Sequence, residues 1–364
     1  MDKNVSVIIS WLRFPLAVFI VFKHYYTPDI NSDTILHTNN SVYYYLGEFI
    51  THIITAVPVP LFFFISGYLY FNKVNLSEGF SKKQWVEKTK SRIKSLFIPY
   101  IAWNFLVLLL FAITQSLSNN SSVMAKDGYK LIADYNIIDY LKALYSIDST
   151  GMPIDGPLWF IRDLFIVSLF SPLIYFICKK LKLSGIVLLG LIWFMGLNIP
   201  IQGFSMFCIF FFTLGGYMKL YNKNLTIKNN DFCSVSSMMI LLIILVLFSI
   251  SFYNNSDFKS FLNPLYRISS VILVFPILNF FARRNLLKVS SFLMASSFFI
   301  FAFHKPVQVI IRRLSFAIIN PETDTLLTIL LFITPSLTIL FSLAVFYIIK
   351  KYIPVLSFLN GFRL

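Results

Sequence analysis

Arg13 and His24, with ten residues between them, bracket the apolar stretch FPLAVFIVFKHYY near the start of the chain. On an α-helix, eleven steps of about 100° overshoot three turns by roughly 20°, so both side chains share one face. At about 1.5 Å per step they lie roughly 16 Å apart, about half the hydrocarbon thickness of a bilayer. A charge within lipid costs at least about 2.5 kcal/mol on insertion scales and is expected to face protein or a watery cavity. A neutral imidazole, with an ordinary pKa of about 6.5, suits proton removal from a hydroxyl. Each residue alone has a plain reading, Arg13 snorkelling inward and His24 sitting at the interface. The shared stripe makes them a candidate site.

Other polar residues interrupt apolar runs. GPLWFIRDLF (156–165) carries Trp159, Arg162 and Asp163. Adjacent residues do not face one another on a helix, so Arg162 and Asp163 are each expected to find a partner elsewhere. Trp159 alone reads as an interface anchor. SSFFIFAFHKPVQ (296–308) places His304 two residues before Pro306, which removes a backbone donor and favours a kink. His304 alone reads as structural, but two histidines at one depth form a candidate site. FFFISGYLY (62–70) holds Ser66 and Gly67, which helix packing explains as well as function does.

The elements that must hold these residues follow from composition. Of 364 residues, 57% are hydrophobic and only 13% charged, with 41 Phe and 19 Tyr. Soluble domains run at about 25% charged, so a bilayer is the solvent here. The chain is expected to be an all-α integral membrane protein of about ten transmembrane helices. They lie near 5–25, 49–70, 97–117, 157–178, 184–200, 203–221, 233–253, 265–282, 290–308 and 325–349. Only LNIPIQG parts the fifth from the sixth; without that break there are nine. Residues 1–352 read as a single membrane domain and 353–364 as a short cytoplasmic tail.

Loop charge orients the chain. Residues 71–96 carry Lys73, Lys82, Lys83, Lys88, Lys90, Arg92 and Lys94, and KKLK (179–182) and RRNLLK (283–288) fall on the same side. Residues 26–48 hold Asp29, Asp33 and Glu48 without Lys or Arg, and 118–156 has more Asp than Lys. The positive-inside rule puts both termini in the cytoplasm. Arg312 and Arg313 dissent, falling near the outer face, where they line a site or snorkel. The net charge of +15 lies between apolar runs, a membrane pattern and not a nucleic-acid one. The first run lacks a cleavage site and is read as a retained span. Cys178, Cys208 and Cys233 have neither metal spacing nor a disulfide framework. No phosphate-cradling glycine loop, HExxH or nucleophile elbow is present, so no metal is expected.

These features together resemble the membrane-bound acyltransferase 3 family. The carriers are Arg13 and His24 at the family's spacing; Phe62, Phe63, Ser66, Gly67 and Tyr68 in its FFxxSG(F/Y) pattern; Trp159, Phe160, Arg162 and Asp163; and His304 with Pro306. The basic stretch KTKSRIKSLFIPY precedes span three, where the family carries two arginines three apart. Arg92 fits the first, but Ser95 stands in place of the second, leaving Lys94 or Lys90 to supply that charge.

The resemblance implies transfer of an acyl, commonly acetyl, group from cytoplasmic acyl-CoA to a hydroxyl of an extracytoplasmic glycan or glycan precursor. It implies a site in the bacterial cytoplasmic (inner) membrane. Arg92 and Arg13 are expected to bind the donor. His24 is the expected general base, with Asp163 orienting it or pairing with Arg162, and Arg162 the first cation to consider for the oxyanion. Ser66, Gly67, Trp159 and His304 are expected to bind substrate or support the site. A transporter or flippase for a lipid-linked glycan suits an Arg/His-lined cavity too, although no internal repeat or paired broken helices favour it. A membrane domain that only senses a wall component has no need of Arg13.

Overall fold

The computed structural model describes residues 2–26, 41–117, 130–147, 151–226, 232–251 and 256–362. The acidic positions Asp29 and Asp33, and 118–129 and 148–150 of the long acidic loop, lie outside the described residues. Thirteen α-helices follow in order: α1 Lys3–Lys23, α2 Val42–Glu48, α3 Pro58–Tyr70, α4 Lys82–Arg92, α5 Ile98–Leu117, α6 Ile137–Tyr145 and α7 Trp159–Leu169. Then come α8 Ser171–Phe194, α9 Met206–Leu220, α10 Phe232–Ser251, α11 Ser256–Arg283, α12 Ser291–Ile319 and α13 Asp324–Tyr352. Among the described residues there is no β-strand beyond one isolated bridge, Asn75 with Gly79.

Among the described residues, six helical stretches are long and apolar enough to cross a membrane: Lys3–Lys23, Val42–Tyr70, Lys82–Leu117, Leu262–Arg283, Ser291–Ile319 and Asp324–Tyr352. A seventh counts if α7 and α8, bent by 63°, form one span. The expected fourth and fifth spans thus share a broken helix pair. Pro172 removes a donor and disfavours helical backbone just before it, which ends α7 at Phe170. A second break falls at Lys182 (φ 50°, ψ −131°), inside the KKLK segment.

The basic loop 71–96 is also more ordered than a connector. Ser81 accepts from the Gln84 amide while the Gln84 side chain accepts from Ser81 N–H, and this capping box starts α4. A π-turn at Ile93–Phe97 joins α4 to α5. Pro99 cannot donate to the Ser95 carbonyl and its ring would crowd it, so the widened turn relieves both problems.

Helices in lipid gain little from apolar burial against one another and depend on close backbone approach. That decides where α3 meets α9. A Cβ on Gly67 would lie 2.0 Å from the Phe212 carbonyl oxygen, and one on Gly215 would lie 2.0 Å from the Phe64 carbonyl oxygen. Phe63 meets Phe207, and Phe71 lies against Gly216, so contacts advance in the same direction along both helices. α3 and α9 therefore run parallel.

The segment after α13 docks instead of trailing. Trp103 Nε1 donates to the Leu359 carbonyl at 2.8 Å, and Asn360 Nδ2 donates to the Ala295 carbonyl at 3.0 Å.

Candidate active site

α1 and α12 place the two histidines against each other. The His24 and His304 ring centroids are 5.3 Å apart, at 34° between planes. His24 caps the end of α1, its amide bonded to the Ile20 carbonyl. His304 is fully buried in mid-α12, and its Nδ1 lies 2.6 Å from the Phe301 carbonyl oxygen. A carbonyl can only accept, so Nδ1 carries the proton and Nε2 presents its lone pair. That Nε2 is buried and has no hydrogen-bond partner among the described residues. A neutral imidazole fixed in one tautomer, with its basic nitrogen open, is equipped to accept a proton or a hydroxyl hydrogen bond.

Cations surround the pair. Lys305 Nζ donates to the His24 carbonyl at 3.4 Å, and Gln308 Nε2 donates to the Val21 carbonyl at 2.9 Å, tying α12 to the end of α1. The charges that act on the His24 ring are those of His304, Lys305 and Lys23. Beyond Lys305 lies Asp155, only 2% exposed, with neither carboxylate oxygen hydrogen-bonded. Its backbone amide is held by Asn104 Oδ1 at 3.1 Å. Burial disfavours the charged carboxylate and Lys305 offsets this only in part, so the Asp155 pKa is raised to about 8.

An aromatic wall joins two of the sequence motifs to this site. Phe63 and Phe62 meet Phe160 at 4.6 and 5.8 Å, Phe160 meets Phe301 at 5.7 Å, and Phe301 meets His304 at 6.2 Å. Trp159 packs on Phe63 within this wall (6.4 Å), so it is more than an interface anchor. Gly67 lies against α9, a packing role, and its neighbour Ser66 is half-buried.

Arg162 and Asp163 pair with each other, one of the two alternatives expected of Asp163, instead of finding the separate partners that adjacency suggested. Their Cβ atoms diverge by about 100°, but the guanidinium arm is long enough to curl back. Nε and Nη2 donate to Asp163 Oδ1 at 2.9 and 2.8 Å, with both residues buried. Nη1 donates to the carbonyls of Tyr145 and Gly151. The pair therefore fastens the backbone at Tyr145 and at Gly151 to α7. Asp163 is thus engaged by Arg162, whose Nη1 is given to the two carbonyls.

Arg13 is half-buried, and its guanidinium has no acceptor among the described residues. At the other end of α3, Arg92 lies over the Tyr70 ring at 5.5 Å and Lys88 over the same ring at 5.1 Å. Lys88 Nζ also donates to the Tyr70 carbonyl at 2.5 Å. Lys90 and Lys94, the expected second cations, are exposed and point elsewhere; Lys88, one turn before Arg92, occupies its face.

Sequence reasoning passed over Lys23, Lys88, Asp155 and Lys305 as site residues. Lys23 and Lys305 each adjoin a singled-out histidine. Asp155 carried no usable signal.

The molecule is thus a helical, multi-pass membrane protein with an imidazole pair enclosed by its first and twelfth helices. Residues 7–348 match the profile of an acyltransferase domain, acyltransferase 3, and the chain belongs to that family. It is also similar to the succinoglycan biosynthesis protein ExoH of Rhizobium meliloti (strain 1021). Identity is 24% over 278 residues, covering 74% of this chain and 69% of that protein. No solved structure matches.

Proposed function

We propose that this membrane acyltransferase moves an acyl group, in the first instance acetyl, from cytoplasmic acyl-CoA to a hydroxyl of an extracytoplasmic glycan. The observation that carries the reading is the His24–His304 pair, with His304 Nε2 buried and open. The name of the similar ExoH protein, tied to succinoglycan, supports a polysaccharide or its precursor as acceptor.

The donor's phosphates meet Arg92 and Lys88, and its pantetheine arm passes Arg13 toward the histidines. His304 Nε2 accepts a hydrogen bond from the sugar and holds it in place. His24 removes the proton of the attacking hydroxyl. The oxygen adds to the thioester carbon, forming a tetrahedral oxyanion beside Lys305, the cation nearest the pair. The carbon–sulfur bond then breaks, and the CoA thiolate leaves and takes up the proton. Both termini lie in the cytoplasm, in a bacterial inner membrane. The parallel run of α3 and α9 supports this topology, because the expected second and sixth spans both cross inward.

His24→Ala tests the reading. Purified variant and parent are compared for thermal unfolding, for transfer from labelled acetyl-CoA and, in cells, for the acyl mass on surface glycans. The expected loss is about 10²- to 10⁴-fold in transfer with unfolding unchanged. Full retained transfer removes His24 from the chemistry.

A further inference from the structure

α12 turns a stripe of polar side chains, spaced four residues apart, toward the C-terminal end of α1. The His304 ring lies 5.3 Å from the His24 ring, Gln308 Nε2 donates to the Val21 carbonyl at 2.9 Å, and the Arg312 guanidinium lies over the Tyr25 ring at 5.8 Å. Residues four apart on a helix share a face, with about 5–6 Å between their Cβ atoms. His304 and Gln308 are buried and Arg312 is half-buried, so the stripe runs from the buried imidazole pair toward the surface. Val21 belongs to the last turn of α1, where carbonyls lose their helical partners. Gln308 answers that structural need, but with one end of its amide only.

The two buried members of the stripe are built alike. Each spends its donor on a backbone carbonyl, His304 Nδ1 on Phe301 and Gln308 Nε2 on Val21. A carbonyl can only accept, so the tautomer of the ring and the orientation of the amide are both set. The opposite end of each is therefore a fixed acceptor, Nε2 of His304 and Oε1 of Gln308. The residues are 0% and 2% exposed, and among the described residues nothing donates to either atom. An acceptor left open in a dry interior is costly, and here two stand one turn apart on the face that meets α1. Such a pair calls for two O–H donors and repels a carboxylate or phosphate.

We propose that Gln308 is a specificity-determining residue of the acceptor site, its Oε1 taking one sugar hydroxyl while His304 Nε2 takes a second and His24 the third, which is acylated. This rests on the acyltransferase reading above and adds the substrate class: a sugar ring with two free hydroxyls besides the one modified. A simple alcohol, or a ring lacking a hydroxyl at either held position, leaves a buried acceptor unmet.

The test uses the purified full chain in nanodiscs, with binding read without turnover. Dissociation constants are measured for the methyl glycosides of glucose, galactose and mannose and for each singly deoxygenated analogue. The parent is expected to bind at least one glycoside and to lose about 10- to 100-fold in affinity at two of its positions when these are deoxygenated. Gln308→Met removes the sensitivity at one of the two positions, and His304→Ala removes it at the other. Thermal unfolding identifies a Gln308→Met protein that fails to fold, in which case Gln308→Leu takes its place. Parent protein that binds none of the three glycosides, or is sensitive at fewer than two positions, overturns the proposal; acceptors filled by water alone would give equal binding across the analogues. A pair of sensitivities that survives the loss of the Gln308 amide overturns it too. Because binding is read without turnover, a chain that shows both sensitivities but transfers no acyl group refutes the enzyme reading alone.

Discussion

Two groups of buried charge lie in this bundle, and they differ in how their hydrogen bonds are met. Arg162 gives two bonds to Asp163 and two to loop carbonyls, engaging four of its five N–H donors. Around α1 and α12, by contrast, His304 Nε2 and both Asp155 oxygens have no hydrogen-bond partner among the described residues. A polar group left unmet in a dry interior costs about 1–3 kcal/mol. Such a cost persists where a ligand or a reaction makes use of it. The well-bonded pair holds the fold, and the unmet groups around the two histidines are where the proposed chemistry is placed.

The comparison breaks first if His304 proves structural. His304→Ala should lower transfer by about 10²-fold or more, with little change in unfolding temperature. His304→Gln retains an acceptor oxygen and should recover part of the rate. Equal losses for Ala and Gln, accompanied by unfolding, would move His304 to the structural side.

Arg162→Ala should do the reverse. It strands a buried carboxylate and releases the Tyr145 and Gly151 carbonyls, costing about 3–5 kcal/mol. Measured unfolding should fall sharply, and the Arg162→Met, Asp163→Leu double variant should regain much of it. A stable, inactive Arg162→Ala protein would contradict this account.

Next in size is Gly67→Ala. Its methyl group would sit 2.0 Å from the Phe212 carbonyl oxygen, backbone that cannot turn aside. The expected cost is about 1–3 kcal/mol, read as lower thermal stability, with KM for acyl-CoA unchanged in the surviving folded fraction.

Asp155 supplies a pH signature. Its ordinary value is 3.8 and its folded value about 8. Between these, the folded protein keeps a proton that the unfolded chain has released, so stability falls as pH rises through that window. Lys305 and Tyr100 are the titratable groups coupled to it. Asp155→Asn should flatten the slope in pH-dependent unfolding, and an unchanged slope would assign it to another group. The smallest effect is expected at the donor patch. Lys88→Gln should raise the acyl-CoA KM severalfold, whereas exposed Lys90→Gln should leave it near the parent value.

Much of the site was legible because lipid makes a few residue types conspicuous. Arg13, His24 and His304 stood out as polar groups in apolar runs, and helical periodicity alone put the first two on one face. The lysines and Asp155 were lost among loop charges, since nothing local distinguishes a lysine that turns inward from one that faces water. The FFxxSG segment was visible as a pattern, yet its division into an aromatic wall on one side and a glycine pressed against α9 on the other depended on the partner helix.

By itself the sequence determined that the chain is helical and lives in a membrane, and which residues are costly there, because composition and period act locally. Only the tertiary structure decided that His24 meets His304, that Arg162 reaches the Tyr145 and Gly151 carbonyls, and that Lys88 and Arg92 lie over the Tyr70 ring. Those outcomes depend on helix crossings and side-chain reach between segments up to hundreds of residues apart, which no local pattern records.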